Sequence, residues 1–157
     1  MNILLHVCCA PCTVFPLQVL RGQGHALTGY FYNPNIHPYT EFFRRLATLR
    51  DFAEMETFPL TAEEDYGLND YLRRVVFHED RRCAICYSMR LEQTARCAAE
   101  NRFDAFSTTL LYSRYQNHGL IRETGEQFAR QYGVGFHYAD FRTGWQEGID
   151  RFDDSLC

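Results

Sequence analysis

Short apolar runs alternate with longer segments whose apolar residues recur every three or four positions, and this alternation constrains the fold more than any other feature of the chain. Asn2 to Val7 is short and apolar; CCAPC then opens a segment reaching Leu20, with Pro11 suited to a first helical turn and Gly22 and Gly24 to its exit. His25 to Tyr32 reads as a second strand and stops at Asn33-Pro34-Asn35-Ile36-His37-Pro38, whose two prolines forbid helix. Phe42, Leu46, Leu49 and Ala53 mark one face of a helix over Tyr39 to Met55. The sequence then predicts a strand over Thr57 to Leu60, a helix over Glu63 to Phe77 interrupted by Gly67, and a helix over Ala84 to Asn101. A strand over Asp104 to Leu111, a helix over Asn117 to Tyr132 and a strand over Val134 to Tyr138 complete the pattern. Such alternation builds a mostly parallel sheet with helices on both faces, and ligands of these folds sit beyond the carboxyl ends of the strands. No repeat, low-complexity tract or linker divides the chain, so one α/β domain over residues 1–157 is expected.

A chain of 157 residues, 46% of them hydrophobic, can bury a core without disulfide staples, so its seven cysteines want another explanation. Seven is odd, and five of them fall in two groups, Cys8, Cys9 and Cys12, then Cys83 and Cys86. No stretch approaches the ~18 apolar residues of a membrane span, and Ile3 to Val7 lacks the basic flank of a secretory signal. A cytoplasmic protein is expected, and in a reducing compartment clustered thiols indicate metal, cluster or redox use. All 16 basic residues are Arg; without Lys, a Walker A phosphate loop and Lys Schiff-base chemistry are excluded. The net charge of -4 argues against non-specific coating of nucleic acid but leaves room for a local Arg patch.

Both cysteine groups fall where a helix should begin. Backbone N–H groups and the helix dipole favour thiolates after the first strand, and Arg81 and Arg82 favour them beside Cys83. A parallel sheet can bring two such loops together over one crevice, making a soft-metal or iron–sulfur site. Two other readings use the same residues: a thioredoxin-like dithiol at Cys9 and Cys12, which leaves three thiols unused, and a zinc-stabilised binding module. Cys97 and Cys157 read as ordinary packing residues.

Four blocks carry a more specific signal: LLHVCCAPC from Leu4, FYNPNIHP from Phe31 with Glu41 and Arg44 behind it, RCAICYSMRL from Arg82, and FSTTLLYSRYQNH from Phe106. Together, in this order, they resemble the QueH family, the cobalamin-independent epoxyqueuosine reductases. The resemblance implies an α/β sandwich of the adenine-nucleotide hydrolase or PP-loop type. It also implies removal of the epoxide oxygen of epoxyqueuosine at the tRNA wobble position, giving queuosine. By the same resemblance Cys8, Cys9, Cys83 and Cys86 hold a 4Fe-4S cluster, Cys12 is a nearby thiol, and an additional iron lies beside the cluster. Family members also carry a Cys-Gly-Cys segment near the carboxyl end, where this chain has a lone Cys157; either the chain is truncated or it is reduced by another route.

Epoxide deoxygenation needs two electrons and two protons, which points to a cluster and to an unidentified electron donor. An extruded wobble nucleoside needs stacking surfaces and hydrogen bonds to its edges. Tyr32, Asn33 and Asn35, with Ser107, Thr108, Tyr115 and Gln116, are the candidates to bind it, and His37 is the candidate general acid. The helix over Tyr39 to Met55 presents Arg44, Arg45 and Arg50, and among the Arg-bearing helices Arg44 and Arg90 are the candidates for the phosphates of an anticodon groove.

Overall fold

The computed structural model describes residues 1–145. Five strands form one parallel sheet in the order β3-β2-β1-β4-β5. They are β1 (Asn2–His6), β2 (Ala26–Phe31), β3 (Leu60–Ala62), β4 (Ala105–Thr108) and β5 (Gly135–Phe136). The intervening helices are α1 (Ala10–Gly22), α2 (Tyr39–Met55), α3 (Leu68–Val75), α4 (Arg82–Glu100) and α5 (His118–Tyr132). From β1 the chain first moves toward β3 and then jumps back to β4 and β5. Right-handed crossovers in opposite directions put α1 and α2 on one face of the sheet and α4 and α5 on the other. The direction reverses between β1 and β4, so the crevice lies at their carboxyl ends.

β1 is the central strand, and its apolar run, buried from Ile3 onward, is the centre of the main core. Phe31, Phe42, Leu46 and Leu49 fill the α2 side, while Leu91, Ala95, Ala98 and Ile121 fill the other. Tyr71, Val75, Cys86 and Met89 form a separate small cluster where α3 meets the start of α4.

The expected fold class holds, with local corrections. The third strand is Leu60–Ala62, not Thr57 to Leu60: Thr57 takes a left-handed φ of 51° as α2 ends, and Pro59 has no N–H for a ladder. Helix α3 is shorter than Glu63 to Phe77 because Gly67 is left-handed (φ 70°) and Asp65 accepts a hydrogen bond from its N–H, making 63–67 a loop. Strand β4 ends at Thr108, whose hydroxyl accepts from the Leu110 N–H and opens a 3-10 turn over Thr109–Tyr112. Among the described residues no helix is long and apolar enough to cross a membrane. Cys157 lies outside the described residues.

Candidate functional site

At the reversal point β1 delivers Cys8 and Cys9, and α1 begins at Ala10 with Pro11 in its first turn. The thiols of Cys8, Cys9 and Cys12 lie within 4.8 Å of one another; among the described residues this is the one set of three metal-donor side chains so grouped. Cys8 is half-buried and Cys9 and Cys12 are buried. The 3-10 turn that follows β4 supplies the opposite wall: Thr109 Oγ1 accepts from the Cys8 N–H at 3.2 Å and lies 3.5 Å from Cys8 Sγ. Hydrogen bonds from Cys12, Cys9 and Thr109 hold the Cys8 thiol well below the ordinary thiol range, against the opposing effect of burial.

A cavity of about 600 Å³ opens above these thiols. Asn35, Ile36 and Arg45 line one side, and Thr109, Ser113, Tyr115, Gln116 and Trp145 the other. Arg90 reaches it from α4 and is only 6% exposed. Its Nε donates to the Cys86 carbonyl at 3.4 Å, and among the described residues no carboxylate lies within ion-pair range of it. Burial lowers its pKa, while Cys86 and then Cys8 support its charge. A guanidinium so deeply buried without an acid is costly unless something anionic completes the site. Soft donors, a depressed thiol and an uncompensated cation together fit a metal–thiolate group.

The second cysteine pair is placed differently. Cys83 is exposed in the first turn of α4, and Cys86 is buried with its Sγ 3.5 Å from the Tyr71 hydroxyl. Neither belongs to the group of three. Arg90, bonded to the Cys86 carbonyl and electrostatically supported by Cys8, is what the two groups share.

Of the other expected site residues, Asn35, Tyr115, Gln116 and Arg90 face the cavity. Gln116 is held by α4, accepting a hydrogen bond of 2.5 Å from the Tyr87 hydroxyl. Tyr32, Asn33, Ser107 and Thr108 are used in building the walls. Asn33 Nδ2 donates to the Val7 carbonyl, Ser107 Oγ donates to the His137 carbonyl, and the Tyr32 carbonyl and Thr108 hydroxyl both bond to His6. His37 sits behind Ile36, with Nδ1 2.8 Å from the Tyr66 hydroxyl and a buried, unpartnered Nε2; burial lowers its pKa. Arg44 points away, paired with Glu41 at 2.6 Å.

Sequence reasoning passed over His6. It is fully buried between Thr108 Oγ1, 3.0 Å from Nδ1, and the Tyr32 carbonyl, 3.1 Å from Nε2. The carbonyl needs a donor, so Nε2 carries the proton, and the Thr108 hydroxyl donates to Nδ1 while accepting from Leu110. Burial pushes the His6 pKa down to about 4, with Arg90 adding to the effect. This neutral imidazole ties the carboxyl ends of β1, β2 and β4 together directly under the thiols. A histidine inside an otherwise apolar strand was the available signal.

Comparison with known proteins agrees with this geometry. The family model described as "Epoxyqueuosine reductase QueH" matches residues 3–155. A protein of that name from Dehalococcoides mccartyi is 39% identical over 99% of this chain and 89% of its own length. Its namesake in Streptococcus pyogenes is 33% identical over 98% of this chain and 64% of its own length, and that in Acinetobacter baylyi 36% over 96% and 70%. A solved structure described as a predicted subunit of tRNA methyltransferase, from Methanocaldococcus jannaschii, superposes with a TM-score of 0.60 at 10% identity, covering 95% of this chain and 74% of that one; it supports the fold alone. With the thiol-lined crevice and a match running almost end to end, this chain belongs to the QueH family of epoxyqueuosine reductases.

Proposed function

We propose that this chain is an oxidoreductase that converts epoxyqueuosine to queuosine at the wobble position of tRNA, the activity for which its family is named, and that it does so over an iron–sulfur centre at the cavity floor. One observation carries the reading: three mutually adjacent thiols share a cavity with a buried arginine that no carboxylate among the described residues neutralises. Cys8, Cys9, Cys83 and Cys86 would hold a 4Fe-4S cluster, leaving Cys12 as a donor for an additional iron. Bound there, the cluster supplies the two electrons that, with two protons, turn the epoxide into an alkene and water, chemistry outside the reach of side chains.

The chain's own residues bind, orient and exclude. Asn35 and Gln116 offer amides to the edges of an extruded base, and Tyr115 offers a face for stacking. Arg90 holds a fixed positive charge beside the thiolates and beside an oxygen that gains negative charge as it leaves. His37, with Nε2 unpartnered behind the Ile36 wall, is the proton carrier of this scheme. Maturation of tRNA places the protein in the cytoplasm, where an electron donor of its own must serve it.

Anaerobic metal analysis tests the reading. About four to five irons with about four labile sulfides per chain, and loss of the epoxide from tRNA under reducing conditions, are the expected results. One zinc and no turnover, or a metal-free protein with two titratable thiols, would overturn it.

A further inference from the structure

Of the fifteen arginines among the described residues, eight lie within 4.0 Å of a carboxylate. The seven without such a partner are not scattered evenly. Arg102 and Arg130 lie at the carboxyl ends of α4 and α5, the end of the molecule away from the cavity. Of the other five, Arg90 lines the cavity, Arg114 follows one lining residue and precedes another, Ser113 and Tyr115, and Arg74, Arg81 and Arg82 stand at the corner joining α3 to α4. That corner is attached to the cavity wall. The loop before α3 packs on Pro34, next to Asn35, and Tyr71 of α3 touches His37 and Cys86.

Two exposed aromatic rings stand beside these cations in the chain. Phe77 is 88% exposed and Tyr115 is 87% exposed. Tyr115 stands edge-on to Trp145, ring centroids 5.8 Å apart. Phe77 occupies the left-handed position that ends α3 (φ 66°), where glycine or asparagine is the low-cost choice, and Leu72 and Val76 beside it are 43% and 44% exposed. An exposed ring at a position that disfavours it gains nothing for the folded chain. Glu79 is exposed and accepts from the Phe77 N–H at 3.3 Å, and among the described residues it makes no ion pair within 4.0 Å with Arg74, Arg81 or Arg82.

Flat apolar rings between cations without acid partners suit single-stranded nucleic acid, whose bases stack and whose phosphates are anionic. We infer that the α3–α4 corner, with Phe77 at its tip and Arg74, Arg81 and Arg82 around it, grips the anticodon loop on the side of the cavity opposite Tyr115, so that the loop crosses the mouth and the wobble nucleotide drops inward. This rests on the tRNA reading above and adds to it the surface that holds the RNA.

The test measures binding of an unmodified anticodon stem–loop RNA, across a salt series, to the metal-loaded wild type, to Phe77→Ser and to Arg81→Gln/Arg82→Gln. Phe77, Arg81 and Arg82 are exposed, so thermal melting of the variants should match wild type. Phe77→Ser should weaken binding roughly 5- to 150-fold, the range of one lost base stack. The double Arg variant should flatten the slope of log K against log salt by about 0.7 per arginine removed. Wild-type affinity and slope in both variants would overturn the surface while leaving the tRNA reading intact. Absence of RNA binding by wild type itself would overturn both. Phe77-dependent sedimentation with phosphatidylglycerol vesicles, with RNA binding unaffected, would assign the corner to a membrane surface and overturn the inference.

Discussion

The two cysteine groups begin helices of the same sheet, yet the fold treats them unequally. Cys8, Cys9 and Cys12 hang from the central strand and are backed by the main core, by Thr109 in the turn after β4 and by the His6 tie between strands. Cys83 and Cys86 belong to a peripheral corner whose small cluster holds α3 against α4, with Cys83 exposed. The first group is assembled by folding alone; the second stands apart from it. That division suits the proposed inorganic centre: the fixed half would provide geometry and the peripheral half entry.

Ligand substitutions test that comparison most severely. Cys8→Ser and Cys86→Ser should each abolish both the visible iron–sulfur absorbance and tRNA turnover, although only Cys8 belongs to the preassembled group. Full iron content and turnover in Cys86→Ser would confine the centre to the first group. Next in size is the acid response of the metal-free protein. His6 has its pKa lowered from 6.5 to about 4, so as pH falls the unfolded chain takes up the proton first. The His6 contribution is therefore complete above pH 6.5 and is lost as pH falls through about 4, a change of about 3 kcal/mol readable by urea unfolding. His6→Asn should be less stable at neutral pH and lack that component; an unchanged acid response would remove His6 as the tie beneath the thiols.

Smaller effects separate the halves further. In metal-free protein Cys8 should be alkylated by iodoacetamide at pH values below those of an ordinary thiol, and Thr109→Val should move its rate profile to higher pH by removing one stabilising hydrogen bond. An unmoved profile would mean that Cys12 and Cys9 suffice. Metal loading should slow amide exchange chiefly over residues 68–86 and little over residues 3–7, which are already in the sheet core. Equal protection of both would erase the distinction. Tyr71→Phe should cost about 1 kcal/mol or less, the worth of one hydroxyl contact to Cys86, seen as a slight fall in melting temperature.

Arg44, Arg45 and Arg50 show where sequence reading stopped short. As an Arg-bearing helix face they looked free for phosphate, but Glu41 binds Arg44 and Arg45 within one turn and Glu64 binds Arg50 from beyond β3. The first two pairings were legible, because Glu41 stands three and four residues ahead of its partners. The third was not, because it joins residues fourteen apart across a strand. Likewise Ser107 and Thr108 fall within the expected strand, yet side-chain direction turned them toward His137 and His6 instead of the cavity.

Local chemistry written in the chain therefore determined the α/β alternation, the helix starts beside both cysteine groups and the family to which they belong. These depend on residue type and short spacing, and survive without knowledge of distant contacts. Only the tertiary structure decided which thiols meet before metal arrives, which arginines keep an uncompensated charge, and where the cavity opens. Those outcomes depend on β4 lying beside β1 across a hundred residues of chain, and on which acid happens to fold within reach of which base.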